Sequence, residues 1–145
     1  MIGLVKLGAA LLLLACGGTA FAQSCTVSPQ AVAFGGYDAL SPAPTDGVGT
    51  IRVGCDAAAN FTVGLSTGNG AGQGSRAMQG GQRALQYDLY ADPSRSSPWG
   101  DGSGLGGPVS AGGTDTDLTV YGRIPARQNV PAGTYSDVIV VTVSF

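Results

Sequence analysis

The stretch Tyr135-Ser136-Asp137-Val138-Ile139-Val140-Val141-Thr142-Val143-Ser144-Phe145, at the C-terminus, decides the fold class. Successive side chains on a strand point to opposite faces, so Ile139, Val141, Val143 and Phe145 share one face, and Val138, Val140, Thr142 and Ser144 take the other. The run is rich in β-branched residues, which suit a pleated strand better than a helix. From Val138 to Val141 it is apolar on both faces, as expected of a strand held between two neighbours inside a sheet. At a sheet edge the same strand would expose unpaired backbone groups beside apolar side chains, and the edge would have to be paired or covered.

The same period of two recurs upstream. Thr50-Ile51-Arg52-Val53-Gly54-Cys55 puts Ile51, Val53 and Cys55 on one face, and Phe61-Thr62-Val63-Gly64-Leu65-Ser66 does the same for Phe61, Val63 and Leu65. Leu85 to Tyr90 turns Leu85, Tyr87 and Leu89 inward, Leu118 to Tyr121 is a shorter case, and Val32 with Phe34 marks an early strand. Turn residues separate these runs: Ser41 to Gly47, the glycine-rich Thr67 to Ser75, the irregular Pro93 to Pro108 around Trp99, and Pro131-Ala132-Gly133. About six short strands at this spacing predict a single all-β domain, a sandwich or barrel.

The N-terminus predicts export. Lys6, the only lysine, precedes the apolar run Leu7 to Ala15, and Ala20-Phe21-Ala22 supplies small residues at the two positions a signal peptidase reads. The apolar run is shorter than the roughly 20 residues needed to cross a bilayer. Residues 1–22 are therefore read as a signal peptide and residues 23–145 as the mature, exported domain; the resemblance given below implies passage through the periplasm to the cell surface. Leu13-Leu14-Ala15-Cys16 offers a second processing site, lipidation at Cys16. Cys25 and Cys55 remain as an even pair in an exported chain, where a bridge is favoured over two free thiols.

Composition removes several function classes. The chain has no histidine, so a Ser-His-Asp triad and histidine-based zinc sites are excluded. Beyond Lys6 its cations are arginines, outnumbered by aspartates, and no basic stripe exists to hold nucleic acid. Asp115 and Asp117 could form half of a calcium site, but no further carboxylates lie nearby in sequence and a solvated pair is the plainer reading. Gly102-Ser103-Gly104-Leu105-Gly106-Gly107 matches the dinucleotide pattern without the strand and helix that give it meaning. Asn60-Phe61-Thr62 matches a glycosylation sequon in mid-strand. Trp99 marks a candidate ligand loop for a sugar or surface, against the alternative of packing over one end of the sandwich. No enzyme, cofactor or metal is expected.

A further set of residues carries a resemblance. Cys25-Thr26-Val27, Val32-Ala33-Phe34-Gly35-Gly36-Tyr37 and Ile51-Arg52-Val53-Gly54-Cys55 look like the opening of a spore coat U domain. Arg76-Ala77-Met78, Leu85-Gln86-Tyr87-Asp88-Leu89-Tyr90, Trp99-Gly100 and Val120-Tyr121-Gly122-Arg123-Ile124-Pro125 continue the pattern. Gly133-Thr134-Tyr135-Ser136-Asp137 and Val140-Val141-Thr142-Val143-Ser144-Phe145 complete it. That family includes secreted spore-coat proteins and subunits of archaic (Csu-type) chaperone–usher pili, which serve adhesion and biofilm formation.

The resemblance implies an incomplete immunoglobulin-like β-sandwich lacking its last strand. A periplasmic chaperone, and later another pilin-like subunit, would supply that strand on the route through an outer-membrane usher. It also implies a disulfide between Cys25 and Cys55. The donor-strand groove would be lined by Val32, Phe34, Ile139, Val141, Val143 and Phe145, with the Phe145 carboxylate anchored by the chaperone. One departure stands out: cleavage after Ala22 leaves only Gln23 and Ser24 ahead of Cys25. At about 3.3 Å per residue they are too short to fill a groove. The expectation is thus a subunit that accepts a strand without donating one, such as a tip or cap. The competing reading is a self-contained secreted binding module.

Overall fold

The computed structural model describes residues 2–11, 23–69 and 75–145. The described residues form seven strands: β1 (Ile2–Leu11), β2 (Cys25–Gly36), β3 (Thr45–Leu65), β4 (Arg76–Gly80), β5 (Arg83–Tyr90), β6 (Val109–Ile124) and β7 (Thr134–Ser144). They close in the order β1-β2-β3-β6-β5-β4-β7, with a further pairing between β3 and β7. No helix occurs among the described residues, as the all-β reading predicts.

The long strands hold the two layers together. β3 pairs through Val48–Cys55 with β2 on one side and through Thr45–Gly54 with Asp115–Ile124 of β6 on the other. After a break in register between Gly54 and Ala59, the same strand pairs Ala59–Val63 with Gly113–Val109, and Thr62–Leu65 with Ser144–Val141 of β7. β3 and β6 therefore run through both layers. The two short runs read from the sequence at Thr50 and Phe61 are one strand with a bulge, which bends the ladder without ending it. β4, which directly follows the stretch Thr67 to Ser75 read as turn, is joined to β5 by Gly81-Gln82. Gly81 has φ +67°, the positive value that tight hairpin turns require and L side chains avoid.

Alternation predicts the core. On β7, Tyr135, Asp137, Ile139, Val141 and Val143 are buried and their neighbours point outward. The core adds Val5, Val32, Phe34, Ile51, Val53, Phe61, Val63, Leu65, Met78, Leu85, Tyr87, Leu89, Val120 and Ile124. Val138 and Val140 stay 42% and 41% exposed, so β7 has partners on both edges but its outer face is uncovered. Cys25 and Cys55 lie opposite each other across β2 and β3 and are joined as a disulfide. Phe34 passes over a glycine: a Cβ on Gly122 would come within 2.5 Å of its ring.

Trp99 and the Asp115/Asp117 pair are both engaged within the fold. Trp99 is buried, and its indole N–H donates to the Val63 carbonyl at 2.8 Å. The indole N–H needs a partner in the core, and a β3 carbonyl supplies one, so the ring packs in the interior and offers no ligand surface. Asp115 and Asp117 lie on β6, where Arg52 on β3 pairs with Asp115 and approaches Asp117 at 4.0 Å. Their charges face an arginine, and no metal-binding cluster is found among the described residues. Gly102, Gly104 and Gly106 all adopt positive φ in the loop after Trp99; a Cβ on Gly106 would lie 2.2 Å from the Pro98 carbonyl oxygen. That loop is a tight backbone crossing, with Gly100 and Gly107 hydrogen-bonded across it. Ala20–Ala22 and Cys16 lie outside the described residues.

Candidate strand-acceptor slot

The closure of the fold depends on β1. This strand lies between β2 and β7, antiparallel to the first and parallel to the second. The β7 ladder runs the full strand, Ile2–Leu11 against Thr134–Val143. The β2 ladder is shorter, linking Ile2, Gly3, Leu4 and Val5 to Gly36, Gly35, Ala33 and Val32, with a register shift between Gly3 and Leu4. Among the described residues no pairing joins β2 to β7 directly. Take β1 away and two facing edges remain, with a slot between them.

The slot is apolar because the residues around it alternate with the pleat. Val32 and Phe34 are buried on the β2 side, and Ile139, Val141 and Val143 on the β7 side. Val5 is fully buried among them, Leu7 is half-buried against the core, and Lys6 points out to solvent. Burying a valine side chain stabilises by about 1.5–3 kcal/mol, so an empty slot would forfeit that and leave backbone groups unpaired. Phe145 lies apart from these five. Pairing of β1 ends at Leu11 opposite Val143, while Phe145 is 51% exposed, with its ring 5.9 Å from that of Phe61. It borders a shallow groove with Asn60, Phe61, Thr62, Ser110, Ala111 and Ser144.

Polar groups fix the frame around the slot. Asp137 sits opposite Val5 in the β1–β7 register and is buried. Its carboxylate accepts from the Tyr87 hydroxyl at 2.6 Å and from the backbone N–H groups of Asn69 and Val138 at 2.9 and 2.8 Å. Burial, then the hydrogen bond to Asp137, holds the Tyr87 phenol far above its ordinary value, so it stays a donor.

Arg76 is fully buried on β4. It donates to the carbonyls of Ser66, Leu65 and Trp99 at 3.0, 3.3 and 2.8 Å, and to Asp88 at 3.0 Å. One guanidinium thus ties the end of β3, the Trp99 loop and β5 together. Burial raises the Asp88 carboxyl above its ordinary value, and the bonds from Leu89 and Arg76 oppose that rise. Among the described residues no buried side-chain N or O atom lacks a partner. Around Arg76 and Asp137 this is the chemistry of a braced scaffold, with each buried charge held by several partners.

The periodicity of the sequence exposes the β2 and β7 walls but conceals the strand between them. Residues 1–22 read as an export signal because Lys6, the apolar run Leu7 to Ala15 and Ala20-Phe21-Ala22 have that layout, and a strand within them carries no alternation to mark it. Arg76 and Asp137 also escape pattern reading, because a charged residue on an inward position is recognised only once its partners are known.

Comparison with known proteins agrees with this architecture. Residues 11–142 match the Spore Coat Protein U domain. Protein U of Myxococcus xanthus is 36% identical over 107 residues, 68% of this chain and 60% of that protein. Among solved structures, the CsuC-CsuE chaperone-tip adhesion subunit pre-assembly complex, from archaic chaperone-usher Csu pili of Acinetobacter baumannii, contains a chain that superposes with a TM-score of 0.64 at 25% identity. That match covers 85% of this chain and 40% of the other, so the chain spans less than two thirds of either relative.

Proposed function

This chain belongs to the Spore Coat Protein U domain family, and on that basis we propose that it is an exported, non-enzymatic structural subunit completed by a strand from a partner. The observation that carries the proposal is the slot: the sheet order closes only through β1, and β1 is drawn from the stretch that reads as a signal peptide. Once residues 1–22 are removed, β2 and β7 face each other across an apolar gap. An extended segment restores the backbone bonds of both edges, while its alternate side chains replace Val5 and Leu7.

The partners are then a periplasmic chaperone during export, an outer-membrane usher, and another subunit in the finished pilus or coat at the cell surface. The likeness to a chain of a chaperone–tip adhesion subunit complex supports this reading. With only Gln23 and Ser24 ahead of the disulfide, the subunit accepts a strand and gives none, which suits a tip or cap. A self-contained sugar-binding module is the weaker reading, since Trp99, its anchor residue, is buried.

Export of the chain to a bacterial periplasm tests the proposal. Without a chaperone of the archaic type the cleaved protein should aggregate or be degraded, and with one it should be recovered as a soluble one-to-one complex. A stable, soluble monomer of residues 23–145 made alone would refute it. Mixed with a donor-bearing subunit, the protein should stop at one-to-one adducts; homopolymers joined through their own N-termini would remove the acceptor-only part.

A further inference from the structure

On the outer face of the sheet formed by β2, β3, β6 and β5, register aligns Ala33 with Val48, Val48 with Tyr121 and Tyr121 with Tyr90. These side chains make one row across the strands. They point away from the core, because their neighbours along each strand, among them Val32, Val120 and Leu89, are buried. Ala33 and Val48 are exposed, the latter by 55%, and the two tyrosines are half-buried. With strands about 4.8 Å apart the row is about 14 Å long, the span of about three pyranose rings. The row beside it is charged, with Arg123 aligned between Asp46 and Asp88.

Arg95 reaches this face from the loop after β5. Its φ is +55°, a left-handed value that a non-glycine residue keeps only where its surroundings over-determine it. The Asp92 carboxylate supplies that hold. It accepts from the backbone N–H groups of Ser96 and Ser97 at 3.0 and 2.8 Å and from the hydroxyls of Ser94 and Ser96. The Arg95 guanidinium then lies 5.6 Å from the centroid of the Tyr121 ring. Its Nε donates to the Gly122 carbonyl at 3.1 Å and lies 3.4 Å from the Asp46 carboxylate. Arg123 donates to both oxygens of that carboxylate, at 2.7 and 2.9 Å. Two cations thus share one anion, while Asp88 answers the buried Arg76. The result is a local positive surplus on a chain whose net charge is −2. Among the described residues Arg95 Nη2 and Arg123 Nη1 make no hydrogen bond, so both remain free to donate.

We propose that this face binds a chain of carboxylated sugars of the uronic acid class, with the row from Ala33 to Tyr90 against the apolar faces of the rings and Arg95 and Arg123 donating to a carboxylate. A bare anion would use the guanidinium groups alone, and a neutral apolar partner the row alone. Side by side they fit a ligand that carries ring faces and carboxylates on one chain. Tyrosine offers apolar area with a polar tip, and a guanidinium recognises a carboxylate through charge-assisted donors. The backbone strain at Arg95 is then part of the site, since it fixes a cation beside Tyr121 before the ligand arrives. None of these residues lies on β1 or β7, so the face exists whatever fills the gap between β2 and β7, and the proposal stands apart from the strand-acceptor reading.

The test is calorimetric titration of the exported protein, alone or with its chaperone as recovered from the periplasm, with trigalacturonate at low salt. Binding should appear with a Kd of roughly a millimolar or tighter. The methyl ester, which keeps the rings and loses the charges, should bind about tenfold more weakly or worse, and sulfate, which has charge and no ring, should give no heat. Val48→Asp puts a negative charge into the row and should abolish binding, as should Arg95→Met. Val138→Asp, the same change on the outer face of β7, should leave it intact. Thermal unfolding of each variant separates a lost site from a lost fold, and Val48, being exposed, keeps the test open if Arg95→Met does not fold. No heat from trigalacturonate with the folded wild type overturns the proposal. Equal binding of the ester overturns the carboxylate, equal heat from sulfate overturns the ring, and full binding by Val48→Asp overturns the place. Self-association of the wild type that Val48→Asp disperses, with no sugar bound, would assign the face to a protein partner instead.

Discussion

Replacing Arg76 by methionine keeps the buried stem and deletes the guanidinium. The Asp88 carboxylate and the carbonyls of Leu65, Ser66 and Trp99 each lose a donor, in a part of the molecule where Arg76 itself is fully shielded from water. Breaking a buried ion pair from one side costs about 3–5 kcal/mol, because the remaining charge is left uncompensated. A domain of this size has a net stability of about 5–15 kcal/mol, so the loss is a large share of the whole. Guanidinium unfolding followed by the fluorescence of Trp99, the only tryptophan, reads the effect directly. With slopes of about 2–6 kcal/mol per molar, the midpoint should fall by roughly 1 M. Arg76→Met combined with Asp88→Asn should recover part of the loss, since the second change removes the stranded charge. A loss below about 1 kcal/mol for Arg76→Met, or strict additivity of the two changes, would show that this guanidinium is not the brace described.

Three further outcomes follow from the same coordinates. Cys25→Ser with Cys55→Ser opens a closed loop spanning 30 residues and should cost about 3–4 kcal/mol in the chain-entropy account, measured by the same unfolding assay; an unchanged midpoint would contradict it. Gly122→Val drives a side chain into the Phe34 ring and should cost about 1–3 kcal/mol, seen as a lowered Tm, and Phe34→Ala in the same chain should relieve the clash. The third concerns pH. A hydrogen bond from Arg123, foremost, holds the Asp46 carboxyl below its ordinary 3.8. Its contribution is therefore complete above that value and is lost as pH falls through the lowered folded-state value. The Tm gap between wild type and Asp46→Asn should be present at pH 7 and shrink toward zero in strong acid; a gap that widens on acidification would reverse the assignment.

How much of this was legible beforehand depends on what kind of signal each residue leaves. Ile139, Val141 and Val143 announce their face by alternation, and the structure buries all three. Cys25 and Cys55 announce a bridge by number and compartment, and they pair. The joins were hidden. Thr50–Cys55 and Phe61–Ser66 look like two strands because Asp56 to Asn60 breaks the period, yet a bulge carries one ladder through. β4 sits beside a glycine-rich stretch that reads as turn, and its inward arginine resembles a surface residue until Asp88 and three carbonyls surround it. Trp99 could be read as a ligand residue or as packing over one end of the sandwich, because the loop gives no periodicity; its indole N–H donates to a core carbonyl. β1 was the least legible of all, since an apolar run with no alternation carries one meaning for an export machine and another for a sheet with a gap.

The Cys25–Cys55 bridge also has a mechanical side. A pull entering the domain at Ser24 passes at Cys25 straight across to β3 at Cys55, so the chain between them carries no load. That withholds about 100 Å of contour length from any stretched molecule, at roughly 3.3–3.6 Å per residue over the 30-residue separation. Val32 and Phe34 lie inside the bypassed segment. The part of β2 that carries Val32 and Phe34 is thereby kept out of the line of force between Ser24 and β3.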